Sequence, residues 1–163
     1  MARAISILVM TLLVAVLHPP TSAEAQLLEL RQTIFGMDCA PCAYAVERRM
    51  QSLNGAEDVQ LSLNGGFAAI RFEGTHGTTL EEIRTAVRRS GFGPREARVH
   101  VRGEVALEEA ERVLRTPSDE RYRLVADSPE WLPETGLEAE VRGVVEPAAD
   151  EAGRWVLKVD GAQ

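Results

Sequence analysis

The sequence predicts an α+β protein in two parts, and three observations lead to that prediction. Residues 26–101 alternate between segments with the periodicity of a strand and segments with the periodicity of a helix. Residues 102–163 instead contain several short alternating segments typical of β-structure. The charge changes between the two parts as well: residues 26–101 hold nine basic and nine acidic residues, whereas residues 102–163 hold eight basic and fifteen acidic residues. We therefore place a domain boundary between residues 101 and 102.

Residues 1–25 have the features of a secretory signal peptide. Arg3 provides a basic start, residues 4–17 form an uncharged and mostly apolar run, and Ala23-Glu24-Ala25 has the A-x-A form of a cleavage site. We expect a mature chain that begins near Gln26 and is periplasmic or secreted, with an uncleaved membrane anchor as the alternative. No later segment is apolar enough to cross a bilayer, so we predict no transmembrane span in the mature chain.

The next segment predicts a strand followed by a helix. The strand covers about residues 28–34 and ends at Gly36, where glycine favours a turn. Proline is favoured in the first turn of a helix, so Pro41 marks the start of the helical pattern. Apolar residues then recur three or four positions apart along one helix face, as the helical period requires: Cys42, Val46, Met50 and Leu53.

A hairpin is predicted after the first helix. Residues 59–63 and 68–72 each alternate between apolar and polar side chains, which is the pattern of a half-buried strand. Asn64-Gly65-Gly66 lies between the two segments and supplies the residues that a tight turn needs.

A second helix and a last strand complete this part of the chain. Thr78 or Thr79 caps the helix, and Thr78 followed by Glu81 has the spacing of a capping box. Residues 97–101 then alternate as a strand. The resulting order, β-α-β-β-α-β, is that of a ferredoxin-like sandwich with both helices on one face of an antiparallel sheet.

The only two cysteines, Cys39 and Cys42, lie at the junction of the first strand and the first helix. Free N–H groups and the positive end of the helix dipole favour the thiolate there, which makes both residues better metal ligands and better nucleophiles. Two thiolates suit Cu(I) and Hg(II), whereas Zn(II) requires further donors. The neighbouring Asp38 is a candidate third ligand for a divalent ion; the alternative is that it faces solvent or caps the helix.

Residues 36–42, with the sequence Gly-Met-Asp-Cys-Ala-Pro-Cys, resemble the G-M-x-C-x-x-C signature of heavy-metal-associated domains. The resemblance covers about residues 27–101 and is greatest to the periplasmic mercury-binding and metal-chaperone type. It implies that Cys39 and Cys42 are the ligands, that Met37 packs under the loop without ligating, and that Phe92 lies near the site and shields it.

The residue before the first cysteine bears on the identity of the metal. Copper-handling members of this family usually carry threonine there, whereas the Gly-Met-Asp-Cys form that Asp38 creates resembles domains of zinc, cadmium and lead exporters. A carboxylate is a hard donor suited to a divalent ion that needs more than two ligands. One heavy-metal ion is therefore expected, with Zn(II), Cd(II), Pb(II), Hg(II) and Cu(I) all open.

The function predicted from these features is capture of a soft metal ion and its transfer by ligand exchange. The resemblance implies a membrane metal transporter or another thiol-bearing acceptor as partner. A thiol-disulfide redox protein that uses Cys39 and Cys42 is the alternative. The hairpin argues against it, because a thioredoxin-like fold needs a parallel crossover at that point.

The remaining residues point to no further chemistry. No set of nucleophile, base and orienting group has a catalytic spacing, so we predict no enzymatic activity. His76 and His100 are isolated in the sequence, and we expect both to be solvated rather than to bind a metal ion.

Residues 102–163 predict a small acidic β-barrel. Three segments alternate as strands: residues 122–126, 137–145 and 155–159. Residues 106–114 are compatible with either a short helix or a strand that continues from residue 99. The pattern loosely resembles OB-like domains. Such barrels bind nucleic acid elsewhere, but the acidic excess makes a phosphate backbone an unfavourable partner. We therefore expect a structural or partner-docking role.

Overall fold

A computed structural model describes residues 26–162, and within them eight strands form one connected sheet with two α-helices. The predicted signal peptide lies outside the described residues. The elements are β1 (Leu27–Phe35), α1 (Ala40–Gln51), β2 (Ala56–Ser62), β3 (Phe67–Phe72), α2 (Leu80–Arg89), β4 (Gly93–Glu108), β5 (Glu111–Arg115), β6 (Arg121–Val125), a 3-10 helix (Pro129–Trp131), β7 (Glu138–Ala149) and β8 (Trp155–Ala162).

The first six elements form the predicted βαββαβ unit. Its strands lie in the order β2-β3-β1-β4, and all three pairings are antiparallel. The helices contact each other, and their apolar side chains join the core of the sheet, because alternate strand residues and every third or fourth helix residue are apolar. The ferredoxin-like prediction for this part is confirmed. The best-buried side chains of its core include Leu30, Val46, Met50, Ile70, Ile83 and Val87.

The capping box of α2 lies one residue later than its predicted form. Thr79 is the N-cap, with its hydroxyl accepting from the Glu82 N–H at 3.2 Å and the Glu82 carboxylate accepting from the Thr79 N–H at 3.0 Å. The hydroxyl of Thr78 is already engaged, since it donates to the Asn54 carbonyl at 2.7 Å. The contact between Thr78 and Asn54, which are distant in the sequence, therefore leaves Thr79 as the N-cap of α2.

β4 is shared between both parts of the chain. It pairs with β1 up to Val101, with β7 from Ala97 to Glu104, and with β5 from Glu104 onwards. Through β5, β6, β8 and β7 the pairings return to β4, so five strands form a closed ring with one parallel pair, β6 with β8. A mostly-β unit after the first domain is thus confirmed, while its OB-like character and the boundary at 101/102 stay predictions.

Residues 106–114 are strand and not helix. β4 continues to Glu108, a turn at Glu109 and Ala110 follows, and β5 begins at Glu111. Both turn residues have positive φ, 50° and 68°, so the chain reverses before a helix can form.

α2 is attached to the ring by the buried Arg84 and the partly buried Glu120. The Arg84 side chain has no exposed surface; it donates to the carbonyls of Glu146 and Pro147 at 2.8 and 2.9 Å, and its guanidinium lies 4.5 Å from the centre of the Trp155 ring. At the start of α2, the Glu120 carboxylate accepts from the Leu80 N–H. The helix next to the first strands is therefore fixed by residues of the second part.

Neither helix of the described residues combines the length and the apolar character needed to cross a lipid bilayer.

Candidate metal centre

The candidate site is the loop that connects β1 to α1, residues 36–39, which we call the metal loop. Gly36 has φ +86°, a conformation that other residues adopt only with strain, and it turns the chain out of β1. Met37, only 5% exposed, points into the core and anchors the loop from below. Asp38 then lies at the surface. The loop is thus held from inside by an apolar residue while its polar residues face solvent.

Cys39 and Cys42 lie at the N-terminus of α1. Cys39 is the N-cap, with extended backbone angles, and its Sγ accepts from the Cys42 N–H at 3.3 Å. Ala40 and Pro41 form the first positions of the helix, so Cys42 is in the first turn, partly buried against the core. Both sulfurs therefore lie where the helix dipole and the free N–H groups stabilise negative charge.

The two sulfurs are joined in a disulfide, with their Cα atoms 5.2 Å apart. A disulfide offers no thiolate, so metal binding requires that the bond first be reduced. The reduced pair would remain on one short loop and one helical turn. The loop thus has two chemical states, and only the reduced one supplies soft ligands.

The structure brings together the three residues that the sequence singled out. A carboxylate oxygen of Asp38 and the sulfurs of Cys39 and Cys42 all lie within 4.8 Å of one another. No other trio of histidine, cysteine, aspartate or glutamate within residues 26–162 approaches as closely. Two sulfur donors and one oxygen donor suit a divalent ion better than Cu(I), because the oxygen is a hard ligand.

Aromatic side chains flank the loop, and one of them was missed in the sequence. Phe35, the last residue of β1, is 64% exposed, and the Arg95 guanidinium lies 4.7 Å from its ring centre. Strand alternation could have predicted the exposure of Phe35, because it follows the inward-facing Ile34 and so faces outward. Tyr44 is 63% exposed on α1. A Cβ at Gly36 would contact the Phe92 ring at 3.9 Å, which puts Phe92 beside the loop as the resemblance implies.

The expectation that the histidines are solvated is wrong. Both His76 and His100 are only 8% exposed. The His76 ring stacks on Phe72, and its Nε2 lies 2.8 Å from the Leu27 carbonyl. His100 lies in the middle of β4, with Nε2 2.8 Å from a Glu140 carboxylate oxygen. Neither belongs to the trio at the metal loop.

Comparison with known proteins places this loop in a family. The sequence profile of the heavy-metal-associated domain matches residues 32–93, which include the whole loop and both helices. Residues 32–93 are a heavy-metal-associated domain. Comparison with curated proteins gives no match.

Three solved structures are similar to part of the chain. One is a copper binding domain from HMA7, a P-type ATPase, with 24% sequence identity over 44% of this chain and 92% of that chain and a TM-score of 0.38. Another is a putative copper-ion-binding protein from Bacillus anthracis str. Ames, with 27% identity over 45% of this chain and 100% of that chain and a TM-score of 0.38. A third is oxidized MerP from Ralstonia metallidurans CH34, with 20% identity over 43% of this chain and 93% of that chain and a TM-score of 0.36.

Proposed function

We propose that the protein captures a heavy-metal ion at Cys39 and Cys42 and passes it to a partner by ligand exchange. One observation carries the proposal: within a heavy-metal-associated domain, two sulfurs and the Asp38 carboxylate converge on an accessible loop at a helix N-terminus. Thiolates are stabilised there, and the loop is open to an approaching protein.

Transfer follows from the exposure of the ligands. A thiolate of the acceptor adds to the bound ion, one of the two cysteine thiolates then leaves, and a second exchange completes the transfer without releasing the ion to water. The exposed side chains of Phe35 and Tyr44 provide apolar surface beside the loop for the encounter. The acceptor is a membrane metal transporter or another thiol-bearing protein, and transfer takes place in the periplasm or outside the cell.

Asp38 favours a divalent ion over Cu(I). Zn(II), Cd(II) and Pb(II) take more than two ligands, and a carboxylate near the two thiolates supplies one of them. Hg(II) and Cu(I) are satisfied by two sulfurs in a near-linear arrangement, so the Asp38 oxygen contributes little to their binding.

The proposal is tested by metal titration of the reduced chain against a chelator of known affinity. We expect one ion per chain, loss of binding in the double variant Cys39→Ser/Cys42→Ser, and weaker Zn(II) and Cd(II) binding in Asp38→Asn. Glu47→Gln, which removes a carboxylate from the outside of α1, is the matched control. The capture proposal fails if no metal binds stoichiometrically, and the role of Asp38 fails if Asp38→Asn binds Zn(II) as the parent does.

The disulfide supports a second candidate, a thiol-disulfide exchange protein. In that reaction a substrate dithiol attacks the Cys39–Cys42 bond, the substrate becomes a disulfide, and both cysteines become thiols. Equilibration with reduced and oxidised glutathione measures the potential, and a dithiol peptide measures turnover. Stoichiometric metal binding together with slow exchange would favour metal capture; rapid turnover without metal binding would favour redox exchange.

A further inference from the structure

A cleft in the second part of the chain lies between the 3-10 helix segment and the ends of β7 and β8. Its volume is about 550 Å³, and its floor is largely apolar. Trp131 and Leu137 line it and are 52% and 56% exposed, although both are large apolar side chains. Such residues are normally buried, and an exposed apolar surface of this kind marks an interaction site.

The rim of the cleft is acidic. Four of its lining residues are acidic and none is basic: Glu130, Glu134, Glu138 and Asp160. Asp160 is neutralised by an ion pair with Arg98. Among the described residues Glu134 and Glu138 form no ion pair, and Glu138 lies directly opposite Glu104 in the β4–β7 ladder. Like charges at opposite positions destabilise a sheet, so a cationic partner would relieve this repulsion.

The cleft is distant from the metal loop along the shared strand. Gly93 of β4 pairs with Phe35 beside the metal loop, while Gly103 pairs with Ala139, which lines the cleft. These glycines are ten positions apart, which corresponds to about 33 Å along a strand. A partner bound in the cleft therefore leaves the metal loop open.

We propose that this cleft binds a basic segment of a partner protein that inserts an apolar side chain against Trp131. Tryptophan is enriched among the residues that dominate binding energy at interfaces. The rim carboxylates select Lys and Arg on the segment by charge complementarity. The same charges repel nucleic acid and anionic lipid surfaces.

This assignment is independent of the metal proposal. It uses no residue of the loop between β1 and α1, and peptide binding should be the same with the cysteines reduced, oxidised or replaced by serine. Failure of metal binding would leave the cleft proposal intact, and loss of peptide binding would leave metal capture intact.

The test uses a displayed library of random twelve-residue peptides, selected on the chain of residues 26–163. We expect selected sequences to be enriched in Lys or Arg together with Leu, Phe or Trp. Trp131→Ala should weaken binding of the best synthetic peptide at least tenfold, and Glu134→Gln/Glu138→Gln should weaken it severalfold. Raising the salt concentration should reduce the affinity further, as expected for exposed charges.

Matched variants distinguish specific peptide binding in the cleft from nonspecific binding to other exposed aromatic or acidic residues. Tyr44→Ala removes an exposed aromatic side chain of α1 that does not line the cleft, and Glu29→Gln/Glu96→Gln removes two carboxylates outside the cleft. Neither should change peptide binding. Unchanged thermal unfolding of Trp131→Ala would show that its effect is local.

Four results would overturn the proposal. Selection could yield no enrichment of basic residues, or the selected peptides could bind Trp131→Ala as tightly as the parent. Trp131-dependent binding of vesicles that contain anionic lipid would assign the surface to a membrane instead. Trp131-dependent self-association in sedimentation would assign it to a second copy of the chain.

Discussion

The Glu120 carboxylate accepts a hydrogen bond from the Leu80 N–H at 2.9 Å, although the two residues are forty positions apart. Leu80 is the first residue of α2, so Glu120 occupies the place where a free N–H group and the positive end of the helix dipole favour an anion. The same carboxylate accepts from the Tyr122 hydroxyl at 2.8 Å and from the Trp155 Nε1–H at 3.1 Å. One side chain thus joins α2 to two strands of the ring.

Glu120→Ala should destabilise the fold strongly. The substitution leaves the Leu80 N–H, the Tyr122 hydroxyl and the Trp155 Nε1–H without an acceptor, and all three hydrogen bonds are partly buried. A fully buried donor left unpaired costs about 1–3 kcal/mol, so each of these costs about 1 kcal/mol. We expect a loss of about 3 kcal/mol in the free energy of unfolding, measured by urea denaturation. Glu96→Ala, at an exposed position, should change it by less than about 0.5 kcal/mol. A loss in Glu120→Ala as small as in this control would contradict the role of Glu120.

Titration of the Glu120 carboxyl group should make the free energy of unfolding depend on pH. Burial raises the pKa of Glu120 above its usual value of 4.5, although the hydrogen bonds from Leu80, Tyr122 and Trp155 oppose the shift. The folded state therefore holds the proton more tightly than the unfolded state. The stability from this protonation is complete below about pH 4.5 and is lost as pH rises through the folded pKa.

The contribution of Glu120 is isolated by measuring the unfolding free energy of the parent and of Glu120→Gln by urea denaturation from pH 4 to pH 7. The parent should lose stability relative to Glu120→Gln as pH rises, because only the parent releases that proton. A difference between the two that stays constant over this range would show that Glu120 has no raised pKa.

Arg84→Met should loosen the attachment of α2 to the ring. Methionine keeps an apolar side chain of similar length but removes the guanidinium over the Trp155 ring and the donors to the Glu146 and Pro147 carbonyls. We expect a loss of about 2–3 kcal/mol in unfolding free energy, since hydrogen bonds from charged groups contribute about 1.5–3 kcal/mol. Arg88→Met on the exposed part of the same helix should cost less than about 1 kcal/mol. Equal losses in the two variants, measured by thermal unfolding, would contradict a specific role for Arg84.

Gly143→Ala should be poorly tolerated because two strands approach closely at this position. A Cβ there would overlap the backbone carbonyl oxygen of Lys158, which cannot move without breaking the β7–β8 ladder. We expect a loss of about 1–3 kcal/mol, the usual cost of overpacking. Gly161→Ala is the control, since nothing lies within 4 Å of its added Cβ. Urea denaturation of both proteins gives the comparison; equal stability would show that the ring relaxes around the added methyl group.

The metal loop and the first part of the fold could be predicted because their signals are local. The spacing of Cys39 and Cys42, the turn at Gly36 and the apolar alternation of the strands act within a few residues of one another. Arg84 had a local signal too, because it follows Leu80 by four positions and so shares its buried face. Its partners could not be predicted, since Glu146 and Pro147 lie more than sixty positions away.

The histidines and the cleft show where local patterns fail. The His100 ring contacts the side chains of Glu140 and Arg142 on β7, a strand whose pairing with β4 no feature near residue 100 indicates. Thr78 and Thr79 both fit a helix cap, and the Asn54 carbonyl decides between them. Trp131 lies in a segment without strand or helix periodicity, so only the fold reveals the cleft that it lines.

The central part of β4 has strand neighbours on both of its edges. From Ala97 to Val101 it pairs with β1 on one side and β7 on the other, so the two units share this strand. Each amide proton in this stretch donates at one edge of β4 and is released when the ladder at that edge opens, and both ladders are lost when β4 detaches. Hydrogen exchange should therefore find its slowest protons here, at a single opening free energy. The two parts would then unfold together as one cooperative unit rather than as two independent domains.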